Sequence, residues 1–107
     1  MDFQKIIERA LQIRNKYSNF EKKKWGKSWG NEQILQGFVG DVGDLVKLVM
    51  EKEGWRKLKS KDSLGHELSD CLWNIIVLAD KYDVNLEKEF EKTMTEIERR
   101  IDTDLDH

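Results

Sequence analysis

Residues 34–50 read Ile34-Leu35-Gln36-Gly37-Phe38-Val39-Gly40-Asp41-Val42-Gly43-Asp44-Leu45-Val46-Lys47-Leu48-Val49-Met50. Apolar side chains return here at steps of three and four, the repeat of an α-helix. The pattern is nearly continuous, so this helix is buried on more than one side. Asn31 is placed to cap its start and Gly54 to end it, which predicts a helix over about 32–53.

The same reading extends in both directions. Upstream, Trp25-Gly26-Lys27-Ser28-Trp29-Gly30-Asn31 holds the glycines and serine of a loop. Before it, Phe3, Ile6, Ile7, Ala10, Leu11, Ile13, Tyr17 and Phe20 mark one face of a helix over 2–23, capped by Asp2 and fading near Lys22-Lys23-Lys24. Downstream, residues 55–60 form a connector. Asp62 or Ser63 caps a third helix, 63–82. Asp83-Val84-Asn85 is a short link, with Asn85 as cap. A fourth helix, 86–102, carries a narrow stripe of Leu86, Phe90, Met94, Ile97, Ile101 and Leu105, the seam of a helix–helix contact. Residues 102–107 read as a frayed acidic tail. There is no internal repeat and no linker long enough to divide the chain. The expectation is one all-α domain over 1–107, a four-helix bundle.

Composition narrows the function classes. The chain has 107 residues, 38% hydrophobic and 37% charged, with no proline. Its 19 basic and 21 acidic residues give a net charge of -2, too balanced for bulk-charge binding of nucleic acid. A single cysteine, Cys71, cannot form an intrachain disulfide. The longest uncharged run, Cys71 to Ala79, is far short of the roughly 20 residues of a membrane span. The N-terminus lacks the layout of a secretory signal. A cytoplasmic protein with no nucleic-acid or membrane partner is expected.

Two helices break their own apolar rule. Asp41 and Asp44 sit three apart on the second helix, and Glu67 and Asp70 three apart on the third, so each pair shares one face. Both pairs lie within strongly apolar segments. A solvated acidic face accounts for either pair alone; it fits two such pairs poorly. If the pairs meet, four carboxylates repel one another and need compensation. A divalent cation supplies it, and an oxygen-only ligand set favours Mg²⁺, Mn²⁺ or Ca²⁺ over zinc. Gly37, Gly40 and Gly43 are three glycines within one helix, each costing about 1 kcal/mol against alanine. Close helix packing explains Gly43, and room for a metal or phosphate explains Gly37 and Gly40.

The stretch Val39-Gly40-Asp41-Val42-Gly43-Asp44-Leu45, followed by Glu67-Leu68-Ser69-Asp70-Cys71-Leu72-Trp73, resembles the MazG-like nucleoside triphosphate pyrophosphohydrolases. Those all-α enzymes carry a paired acidic motif, E-x-x-E and then E-x-x-D. Here residues 45–66 separate the two halves. The resemblance covers about Trp25 to Arg100 and is strongest to the short branch that includes the dCTP pyrophosphatases. It implies Mg²⁺-dependent, or Mn²⁺-dependent, hydrolysis of (deoxy)nucleoside triphosphates to the monophosphate and pyrophosphate. It places the metal on Asp41, Asp44, Glu67 and Asp70, and gives Asp41 the catalytic role of orienting or deprotonating the attacking water. It assigns Trp25, Trp29 and Asn74 to the base, and Arg100 to phosphate. It also implies a homodimer or homotetramer, which suits the seam on the fourth helix.

This chain departs from the family pattern. Both acids of the first pair are Asp where Glu is usual, and Gly40 stands where many members carry another Glu. In the last helix, Thr93 and Ile97 replace phosphate-binding residues, leaving Arg100 with Lys92 beside it, and Lys47 as a further cation. Related readings are a phosphoribosyl-ATP pyrophosphohydrolase-like enzyme, a nucleotide- or metal-binding helical module without turnover, and a pure oligomerisation bundle. Elsewhere the bland reading holds. Trp73 and Cys71 read as core, Trp55 as packing or a subunit contact, His66 as surface, and the lysine run as a solvated helix end.

Overall fold

The computed structural model describes residues 2–57 and 59–105. They form four helices: α1 (Phe3–Trp25), α2 (Asn31–Lys52), α3 (Leu64–Lys81) and α4 (Leu86–Leu105). The helix ends follow local hydrogen-bond chemistry. The Asp2 carboxylate accepts from Lys5 N–H at 2.9 Å, Ser63 Oγ from His66 N–H at 3.1 Å, and Asn85 Oδ1 from Lys88 N–H at 3.1 Å, each satisfying an orphan donor of the first turn. Gly26 and Gly54 take the left-handed φ, 85° and 83°, at the ends of α1 and α2, a conformation that favours glycine.

Two boundaries differ from expectation. Asn31 is not the cap of α2. Gly30 is, and its N–H donates to Gln33 Oε1 at 2.9 Å, so the glutamine side chain reaching back replaces an asparagine reaching forward. The expected frayed tail is helical as far as Leu105. Thr103 Oγ1 donates to Arg99 O at 2.8 Å within that turn. Residues 106–107 of that expected tail, and the Leu105 side chain, lie outside the described residues.

Packing is concentrated on α3, which lies against α2 most extensively and against α1 as well. Ile34 and Leu48 of α2 and Cys71, Ile76 and Val77 of α3 are buried between them. Trp73 Nε1–H donates to Ala10 O at 3.0 Å, tying α3 to α1. Buried Glu51 accepts from Lys59 N–H at 3.3 Å and Ser60 Oγ at 3.2 Å, holding the α2–α3 connector. The fourth helix does not complete a closed bundle. Phe90, Met94, Ile97 and Ile101 stay 57%, 41%, 42% and 52% exposed. The radius of gyration is 17.5 Å, against about 13 Å for a compact chain of this length.

Candidate functional site

Because α2 and α3 are the best-packed pair, their polar faces meet beside the core. Asn74 shows this directly: its Nδ2 donates to Asp41 Oδ2 at 2.7 Å across the interface, and to Asp70 O at 2.9 Å one turn back on α3. Glu67 is buried, and Asp41 and Asp70 are half-buried. Asp44 is exposed but close enough for its charge to act on both acids of α3.

The two acids of α3 have raised pKa values. Burial pushes the Glu67 carboxyl above its ordinary value. Asp62 adds to this through a hydrogen bond and its charge, followed by the charges of Asp44 and Asp70. Burial likewise raises Asp70. His66, whose Nε2 lies 3.2 Å from Asp70 Oδ2, works the other way, while Asp41, Asp62 and Asp44 push it up again. The buried Cys71 thiol is raised by the same desolvation and by Asp41, Asp70 and Glu67. Like charges held together in a poorly solvated place disfavour ionisation, and such groups concentrate at functional sites. Among the described residues no three His, Cys, Asp or Glu side chains converge into a finished metal shell.

Next to the acids opens a cavity of about 350 Å³, within the usual range for small-ligand sites. Asp41, Asp70 and Asn74 line its acidic end; Tyr17, Trp25, Trp29 and Trp73 supply aromatic wall. Trp25 packs edge-on to Phe20, with ring centroids 5.9 Å apart. Trp29 lies on Gly37: a Cβ built there would sit 2.9 Å from its Cζ3. So the space at Gly37 admits an indole, not a metal or phosphate. Gly40 and Gly43 have no such neighbour within 4 Å of an added Cβ, so the helix packing expected at Gly43 is not found among the described residues.

The structure thus gathers Asp41, Asp70, Asn74, Trp25 and Trp29 at one cavity, with Asp44 and Glu67 beside it. It does not bring in Arg100, which is exposed on α4 and absent from the lining. Trp73, expected as core, is half-buried and forms cavity wall. Trp55 is 79% exposed. His66 is exposed as expected, yet touches Asp70.

Three residues emerge that periodicity did not single out. Asp62, read only as a possible cap, acts on Glu67. Glu21 is 2% exposed, pairs with Arg14 and accepts from Trp29 N–H at 3.0 Å. Arg14 and Glu21 both line the cavity. An acidic residue just before three lysines gives no burial signal; only an i, i+7 spacing from Arg14 placed them on one helix face.

No family model matches the chain. Among curated proteins, the Gene 37 protein of Mycobacterium phage L5 is 27% identical over 77 residues, covering 68% of each chain. Among solved structures, YPJD of Bacillus subtilis, provisionally assigned as a pyrophosphatase, is similar with a TM-score of 0.56 and 17% identity, over 81% of this chain and 92% of that one. What this chain shares with YPJD is the fold, which here is all-α with four helices among the described residues.

Proposed function

We propose that the protein hydrolyses nucleoside triphosphates to the monophosphate and pyrophosphate, with Mg²⁺ or Mn²⁺ and as a homodimer or homotetramer. The observation that carries this reading is that Asp41 and Asp70 line one end of an aromatic-walled cavity, with Asp44 and Glu67 near enough for the four charges to act across the α2–α3 interface. The fold shared with a protein provisionally assigned as a pyrophosphatase supports it at a coarse level.

Asp41, Asp44, Glu67 and Asp70 are the residues that would hold the metal. When bound, a divalent cation neutralises phosphate charge and acidifies water. The remaining work belongs to the chain. Asn74 holds the Asp41 carboxylate in place with its 2.7 Å hydrogen bond, leaving Asp41 Oδ1 to accept the proton of an attacking water. That water's oxygen bonds to the α-phosphorus, the bond to the bridging oxygen breaks, and pyrophosphate departs. Trp25 and Trp29 offer indole faces to the base, each stacking contact being worth about 1–3 kcal/mol. The substrate is thereby held at two ends, which converts binding into alignment of the α-phosphate.

Pyrophosphate assayed from a panel of (d)NTPs with Mg²⁺ tests this. The expected result is equimolar monophosphate and pyrophosphate. Nucleotide binding without product would identify a binding module instead.

A further inference from the structure

A second groove, of about 290 Å³, runs between α1 and α3. Ile6, Ala10 and Ile13 wall it on one side, Leu72, Trp73 and Ile76 on the other. Leu72 is 42% exposed, and Leu68 and Ile75, on the same face of α3, continue the apolar surface beyond it. No residue of α4 lines this groove.

Its chemistry matches that of α4. The apolar stripe of α4 is exposed, and α4 packs closely on none of the other three helices among the described residues. The charges match as well. Seven basic and two acidic residues lie on α1, seven acidic and four basic on α4. Arg9 lines the groove, and Lys16, seven residues on, shares its side of α1. On α4, Glu91 and Glu98 flank the stripe and are also seven apart. Seven residues are about two turns, so both pairs repeat at roughly 10 Å along their helices. All four side chains are exposed, and none is in an ion pair among the described residues.

The chain's own α4 is turned away from the groove. Only residues 83–85 link it to α3. Val84 N–H donates to Ala79 O at 2.8 Å and Lys88 N–H to Asn85 Oδ1 at 3.1 Å, with Asp83 at a left-handed φ of 55°. A link this short and this bonded leaves no slack for α4 to fold back.

We propose that α4 of a second copy fills the α1–α3 groove, reciprocally, so that each chain's fourth helix completes the other's bundle. Such an exchange is self-complementary about a two-fold axis. It sets the acidic pair of one copy against the basic pair of the other. This interface rests on the homo-oligomer proposed above and specifies the surface that builds it.

Two charge-reversed proteins test the proposal and leave both apolar faces intact. One carries Arg9→Glu and Lys16→Glu, the other Glu91→Lys and Glu98→Lys. Alone, each sets like charges across both helix–groove contacts; mixed, both contacts pair opposite charges again. Light scattering at low ionic strength, where exposed charges are least screened, reads the mass, and circular dichroism follows the helices. Each variant alone should have half the wild-type mass, and the equimolar mixture should recover it. Recovery on mixing requires helix and groove to come from different copies. Wild-type mass in both variants alone overturns this interface and leaves a homo-oligomer built on another surface standing. Masses that stay halved on mixing, or a wild type with the mass of one chain, also overturn it. Pyrophosphate release is measured separately on the wild type, so a failure of the hydrolysis is distinguishable from a failure of the interface.

Discussion

At the scale of single residues, Gly37 and Trp29 show how one absent methyl group shapes the cavity. Gly37→Ala puts a Cβ 2.9 Å from Trp29 Cζ3, so the indole must shift. We expect KM for the nucleotide to rise roughly tenfold, as lost stacking would give, with kcat and Tm little changed; steady-state kinetics beside a thermal melt checks this. Asp44→Ala and Glu67→Ala should abolish turnover and leave the circular dichroism helical. Much of this site was legible beforehand, because i, i+3 acids inside apolar helices stand out against the pattern. Glu21 was not. It lies in a run of Glu21-Lys22-Lys23-Lys24 that reads as solvated helix end, yet it is buried, with Arg14 and the Trp29 N–H of the following loop on its Oε1. That contact is tertiary, and periodicity carries no trace of it.

At the scale of elements, the α2–α3 pair governs the response to pH. Folding raises the pKa of Glu67 and Asp70, chiefly by burial. Between the ordinary carboxylate range, near 4, and the raised values, the folded chain therefore binds more protons than the unfolded one. Stability from this source is full below the ordinary values and is lost as pH rises through the raised ones. The metal-free protein should thus lose Tm relative to Glu67→Gln as pH rises through that window. Saturating Mg²⁺ should restore the wild type and do little for the variant; melts across pH with and without chelator read both. A wild-type and variant difference independent of pH would contradict the electrostatic account. The helices themselves were readable from spacing and caps, as Asp2, Ser63 and Asn85 show. The start of α2 was misplaced by one residue because Gln33 caps backwards onto Gly30. At the end of α4, polar residues were read as fraying where helical bonding continues to Leu105.

At the scale of the whole molecule, the chain leaves an unusual amount of apolar surface without a partner. The stripe of α4 and the outer side chains Leu35, Val39, Val46 and Val49 of α2 are exposed, and the proposed homodimer or homotetramer would cover such surface. The spacing of Phe90, Met94, Ile97 and Ile101 marks one face of α4 as apolar; among the described residues that face stays exposed, and periodicity reports a face and not what covers it. Light scattering should return a mass of two or four times 12.7 kDa. Phe90→Glu with Ile97→Glu should lower that mass and, with it, Tm. A monomeric wild type, unaffected by these changes, would contradict the assembly. Among the described residues no helix is long and apolar enough to cross a membrane, so a lipid mate for these faces in the form of a spanning helix has no support. Product analysis of a nucleoside triphosphate incubated with Mg²⁺ and either wild type or Asp44→Ala tests the proposed chemistry itself. Equimolar monophosphate and pyrophosphate from the wild type, and neither from the variant, is the predicted result; diphosphate with inorganic phosphate, or equal turnover by the variant, would contradict it.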